Sequence, residues 1–325
     1  MSKYFLSGLL FGLTLLALGG VTHAGEASYP NKPIRLVVPY PPGGGNDTIG
    51  RALGQSISEA LGVTVIIENR PGANGSIATE FVARAEPDGH TLLMANNGSH
   101  GINPSLYKAI KYDPIGDFSP IALVATSPNV LVVSPALKVH TIQEFIAYAK
   151  NHPGSLTYGS NGSGSSQHMA GALFASTFGL EMMHIPYKGT GPMMTDLLGG
   201  RISASFGNIV AVLPHIRAGR LVALAVTTPT RSDALPDVPA VAETVPGFDA
   251  TVWWALVTTK NAPQQAVARL ASEVKLFDEK PSTKILMETV GAQPSASTPA
   301  ELGVFIRSEL KKWALVIEQT GATAD

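Results

Sequence analysis

Two glycine-rich stretches hold the residue types best suited to gripping an anion. Residues 39–47 read PYPPGGGND and residues 158–168 read YGSNGSGSSQH. Each follows a short β-rich run and precedes a helical pattern. That places both at the carboxyl ends of strands, where open α/β sheets bind ligands. In the first stretch Gly43, Gly44 and Gly45 let the main chain approach a ligand and turn N–H groups toward it. The helix that follows, read as starting near Thr48, adds its positive N-terminal end. Tyr40, Pro41, Gly43, Gly44, Asn46 and Asp47 are the candidate contacts, and Asp47 is also placed to cap the helix. The second stretch repeats the device with hydroxyls that hydrogen-bond a carboxylate. Its candidates are Ser160, Asn161, Gly162, Ser163, Gly164, Ser165 and His168. Neither stretch contains a lysine or arginine, so the predicted grip on an anion comes from dipoles.

Further polar residues fall where strands end. Asn96 and Asn97 follow a third strand, Thr190 lies in the Tyr187–Thr190 segment, and Asn208 ends Phe206–Asn208. All four join the candidate set. Trp253 and Trp254 alternate across a strand, so one ring packs in the core while the other reaches the cleft. His184 and His215 stand in apolar settings and read as packed histidines.

Several chemistries are excluded. Residues 43–48, GGGNDT, fail G-x-G-x-x-G, and no G-x-x-x-x-G-K-[ST] occurs in the chain. No G-x-S-x-G elbow exists, and His168 sits three residues from Ser165, a spacing for capping rather than base catalysis. A serine hydrolase is therefore the weakest of the functional alternatives. The eight histidines show no zinc-binding spacing, and the absence of cysteine removes disulfides, thiolate metal sites and a cysteine nucleophile. The sequence calls for no cofactor. With 23 basic against 24 acidic residues and no basic cluster, nucleic acid is excluded as a partner.

The elements that must position these loops alternate. Ile34–Val38, Val63–Glu68 and Thr91–Ala95 read as strands, separated by helical patterns at 48–61 and 76–85. Strands at 130–133, 156–159, 183–187, 202–206 and 221–226 continue the plan, with helices at 141–150, 166–178, 191–198 and 210–218 between them. A strand at 252–258 and helices at 263–276 and 299–319 close the chain. This order predicts two doubly wound α/β units with largely parallel sheets.

The beginning of the chain predicts the compartment. Lys3, the apolar run of residues 5–18 and Thr22-His23-Ala24 follow the plan of a secretory signal peptide cleaved after Ala24. The run is shorter than the roughly 20 apolar residues a spanning helix needs. Without a cysteine for lipid attachment, the expected product is a free, soluble periplasmic monomer.

Taken in order, YPNKPIRLVVPYPPGGGND (29–47), ENRPGANGSIA (68–78), PDGHTLL (87–93), INPSLY (102–107), YGSNGSGSSQH (158–168), IPYKGTGP (185–192), DLLGGRI (196–202) and LPDVPAVAE (235–243) form a specific pattern. On these segments the chain resembles the tripartite tricarboxylate transporter receptors, a family of periplasmic binding proteins. The resemblance implies a type II periplasmic binding fold, in which two α/β domains joined by two crossing strands close on a central ligand cleft. One domain would comprise residues 28–129 plus 250–325, the other 130–249. It also implies a small organic carboxylate as ligand, held by the loops equivalent to 40–47 and 158–168, and delivery to membrane permease subunits without ATP hydrolysis. A sensor kinase that reads the closed form is a second partner compatible with such a receptor. Residues 253–258 read WWALVT, where relatives more often carry Trp or Tyr followed by glycine and an apolar-proline run.

Overall fold

The strand-forming runs pair into two separate sheets in the computed structural model, which describes residues 29–324. The expected leader, residues 1–24, lies outside the described residues. The chain starts with β1 (Ile34–Val38), α1 (Gly45–Leu61), β2 (Val65–Asn69), α2 (Ser76–Ala83), β3 (Thr91–Asn96), α3 (Asn103–Leu106) and β4 (Phe118–Ser127). It then builds β5 (Asn129–Val133), α4 (Ile142–Asn151), β6 (Leu156–Ser160), α5 (Ser166–Phe178), β7 (Met182–Pro186), α6 (Thr190–Leu198), β8 (Ala204–Asn208), α7 (Ile209–Arg217), β9 (Val222–Val226) and α8 (Val241–Thr244). The return adds β10 (Val252–Thr259), α9 (Gln264–Glu279), α10 (Pro281–Val290), β11 (Gln293–Pro294) and α11 (Pro299–Thr320).

The first sheet has the order β11-β4-β10-β3-β1-β2 and the second β7-β6-β8-β5-β9. Within them β1, β2 and β3 run parallel to one another, as do β6, β7 and β8. The strand that enters from the other half runs antiparallel in the middle: β10 between β3 and β4, β5 between β8 and β9. The chain thus crosses between sheets twice. Only Pro128 separates β4 from β5. The second crossing lies beside it: Thr227 N–H donates to Asn129 O at 2.9 Å and Ala250 N–H to Thr227 O at 2.9 Å. The Thr227 hydroxyl accepts from Asn129 N–H at 3.0 Å and donates to Ala250 O.

Burial follows the predicted periodicities. Ile49, Leu53 and Ile57 of α1 are 0 % exposed against β1 and β3, each contributing about 1.5–3 kcal/mol of apolar burial. In the second half Phe145, Phe174 and Phe206 meet in one cluster. Helix α11 serves both halves. Leu302 and Ile306 pack with the first sheet, whereas Trp313 and Val316 join the core of the second. Between them Glu309, buried, accepts the indole N–H groups of Trp253 at 2.7 Å and Trp313 at 3.0 Å. The first crossing strand and the C-terminal helix are absent from neither half's packing, so loops from both sheets are held on one frame.

The differences from the sequence reading are local. Helix α1 begins at Gly45, not near Thr48, because Gly44 is its N-cap and the glycines that follow accept helical geometry. Asp47 is therefore not the cap but a residue of the first turn. The ten-residue β4 and helix α10 are additional elements. Among the described residues, no helix is long and apolar enough to cross a membrane.

Candidate functional site

One cleft of about 550 Å3 lies between the two sheets. Four helices of eight residues or more begin at it: α1, α5, α6 and α7. Their N-terminal ends concentrate partial positive charge and unpaired N–H groups. No aspartate or glutamate lines the cleft; its ionisable lining residues are Tyr40, Lys188 and His215. Burial, together with the positive charge of Arg220, holds the His215 imidazole below the usual histidine range, which favours its neutral form.

Most predicted site residues converge here. From the first half, Tyr40, Pro41, Gly43, Gly44 and Asn46 line the cleft, as do Asn96 and Asn97. From the second half come Asn161, Ser165, Thr190 and Asn208. Several of these side chains are already engaged. Tyr40 donates its hydroxyl to Asn74 Oδ1 at 2.6 Å, and burial pushes its phenol well above the usual range, so it stays neutral. Asn96 Nδ2 donates to Asn46 Oδ1 at 3.1 Å. Asn97 is spent on β10, accepting from Trp253 N–H and donating to Thr251 O. Asn208 caps α7 by accepting from Val210 N–H and donates to Ser127 Oγ. Ser165 caps α5, its Oγ accepting from His168 N–H at 3.2 Å.

The other six stand behind the lining. Asp47 accepts from Gly43 N–H, Arg51 Nε and Asn69 Nδ2, each at 3.0 Å. Burial raises its carboxyl pKa, but these hydrogen bonds outweigh burial and hold it below the usual range. Ser160 donates to Gly162 O and accepts from Gly162 N–H, and its Oγ lies 2.7 Å from His184 Nε2. Ser160 is 0 % exposed, so this serine–histidine contact braces a loop. The Ser163 carbonyl accepts from Tyr107 OH at 3.0 Å. Gly164 N–H donates to His168 Nδ1 at 3.1 Å, and the His168 ring stacks on His184 with centroids 3.9 Å apart.

Some lining residues carried no prior assignment to the site. Gly45 belongs to the same glycine run, and Ser166 and Gln167 to the same serine-rich loop, so adjacency was their signal. Trp254 is the tryptophan that reaches the cleft, while Trp253 packs against Phe305. Met194, Val210 and His215 form part of the wall; Met194 and Val210 have no chemical signature in sequence, and His215, read there as a packed histidine, lines the cleft. Three lining residues bury a polar atom without a partner: Asn161 Oδ1, His215 Nδ1 and Trp254 Nε1. Among the described residues no cluster of His, Asp or Glu is arranged to hold a metal.

Comparison with known proteins bears on this arrangement. Residues 49–322 match the family model described as tripartite tricarboxylate transporter family receptor. The protein BugT of Bordetella pertussis is 36 % identical over 318 residues, spanning 96 % of this chain and 97 % of that protein. Among solved structures, an R. palustris protein with adipate shares 33 % identity at a TM-score of 0.87, over 91 % of this chain and 100 % of that one. MatC from Rhodopseudomonas palustris with bound malate shares 29 % identity at a TM-score of 0.83, over 89 % of this chain and 100 % of that one. The two-sheet α/β architecture is that of these periplasmic binding proteins. On fold, sequence and extent together, the chain belongs to the tripartite tricarboxylate transporter receptor family.

Proposed function

We propose that this receptor captures a small organic carboxylate in the periplasm by closing its two halves on it, and delivers the acid to membrane permease subunits. The observation that carries the reading is the cleft itself: four helix N-termini from both halves meet in a space lined by no acidic side chain. Amide dipoles fixed in this way favour an anion without the desolvation cost of a buried cation. Charge-assisted hydrogen bonds to a carboxylate are also about twice as strong as neutral ones. The proposed contacts are the cleft-lining members of the predicted set, and Asp47, Ser160 and His168 shape their loops. The moving bodies are residues 28–129 plus 250–325 and residues 130–249, hinged at Pro128 and at the Thr227–Ala250 stitch. The receptor works as a monomer, released from its leader, and performs no chemistry on its ligand. That relatives have been solved with adipate and malate supports the ligand class.

A thermal-shift series with aliphatic and aromatic carboxylates tests the reading. A ligand at 100 times its Kd should stabilise the protein by about 2.7 kcal/mol through mass action. Stabilisation by neutral sugars and by none of the acids would overturn it.

A further inference from the structure

Trp254 holds a hydrogen-bond donor that the protein itself does not use. The residue is 1 % exposed, lines the cleft, and buries its Nε1–H without a partner. The other two tryptophans show the usual outcome, since Trp253 and Trp313 both donate to Glu309. A buried donor left unpaired is costly and therefore rare, which points to an acceptor supplied from outside the chain.

The position of the indole says which part of a ligand that acceptor belongs to. A Cβ built on Gly45 would stand 2.5 Å from Trp254 Cζ2, 3.2 Å from Cη2 and 3.1 Å from Asn208 Oδ1. The Cζ2–Cη2 edge of the ring therefore lies against the first residue of α1, and the N–H is its neighbour, since Cζ2 and Nε1 are both bonded to Cε2. That helix has Gly44 as its N-cap and no side-chain cap, leaving first-turn amides for a ligand. Donors on two elements, β10 and α1, therefore border the same part of the cleft.

We infer that Trp254 Nε1–H binds one oxygen of the ligand's carboxylate beside the first-turn amides of α1. Gly45 is required because any side chain there would push the indole away. The inference rests on the carboxylate reading above and adds an anchor on a strand continuous with the second crossing. Closure of the cleft and capture of the acid are then coupled through β10.

The test is the indole 1H–15N spectrum of the full protein, whose three tryptophans give three cross peaks. Adipate, malate and benzoate serve as probes, alongside thermal shift. With an acid that raises the melting temperature, the cross peak missing from Trp254→Phe should move downfield while those of Trp253 and Trp313 stay nearly fixed. Trp254→Phe should weaken that acid by about 10- to 100-fold. Its unliganded melting temperature should fall only by the lost packing of the larger ring, because no internal hydrogen bond is lost. A stabilising acid that leaves the Trp254 cross peak unmoved overturns the inference and spares the receptor reading, even if the variant folds poorly. An acid panel that stabilises nothing overturns both.

Discussion

The two glycine-rich loops border the same cleft, yet they are braced by different chemistry. Behind residues 40–47 stands a carboxylate: Asp47 gathers Gly43 N–H, Asn69 and Arg51, and Asn69 also donates to Tyr40 O. Behind residues 160–168 stand neutral acceptors, with Ser160 holding Gly162, Gln167 Oε1 holding Asn161 N–H, and His168 Nδ1 holding Gly164 N–H. A negative charge beside the proposed anion site would repel the ligand, and Arg51, 2.9 Å from Asp47, offsets that charge in the first loop. The second loop avoids the problem by using no charge. What a dipole cradle requires is an acceptor behind each loop, and the sign of that acceptor is secondary.

The comparison is broken most severely by acid, which should strike the first half. His100 lies in the turn after β3, just beyond Asn96 and Asn97, with its ring edge-on to Phe118 at 4.7 Å and Nε2 without a partner. Burial pushes its pKa down from 6.5 to about 3. The unfolded chain takes up a proton near pH 6.5 that the folded chain refuses. The stability is therefore full above that pH and declines as pH falls toward 3, by about 1.4 kcal/mol per unit. His100→Leu should flatten the urea midpoint measured between pH 6.5 and 4; an unchanged slope would place the acid lability elsewhere. Asp47 acts in the same direction at lower pH. Its depressed carboxyl contributes stability that is present above the ordinary aspartate value and lost as pH falls through the folded one.

At neutral pH the larger effect should come from the charged brace. Asp47→Ala removes three hydrogen bonds, of which the one to half-exposed Arg51 counts least. A loss of about 2 kcal/mol is expected from the chemical denaturation midpoint, together with weaker acid binding. A variant as stable as the parent would mean that the glycine loop keeps its shape unaided.

What could be read without coordinates divides along physical lines. The bounds of β1, α5 and the start of α11 follow from period and capping chemistry, which are local. Thr141 and Ser165 cap α4 and α5 as their types require. Strand β4 escaped because FSPIALVATS carries Pro120 inside an apolar run, and Pro120 finds its place only opposite a register shift in β10. The glycine and serine loops announced the polar side of the cleft. Its far wall did not, because Met194 and Val210 look like any core-facing residues until α6 and α7 are placed across from Trp254. The braces were equally invisible, since the Asn69–Asp47 and His184–Ser160 contacts join residues 22 and 24 positions apart.

The smallest predicted effect is the most telling about the neutral brace. His168→Phe keeps an aromatic ring to stack on His184 and removes the Nδ1 acceptor of Gly164 N–H. One neutral hydrogen bond contributes about 1 kcal/mol, so the melting temperature should fall less than in Asp47→Ala. Hydrogen exchange at the Gly164 amide should quicken selectively, because that donor loses its partner while the helix-capping Ser165–His168 bond stays. If exchange at Gly164 is unchanged, the stacked rings rather than the hydrogen bond hold the loop. If instead His168→Phe costs as much as Asp47→Ala, the neutral acceptors brace their loop as firmly as the carboxylate does. The charge on Asp47 would then add nothing that a histidine nitrogen cannot supply.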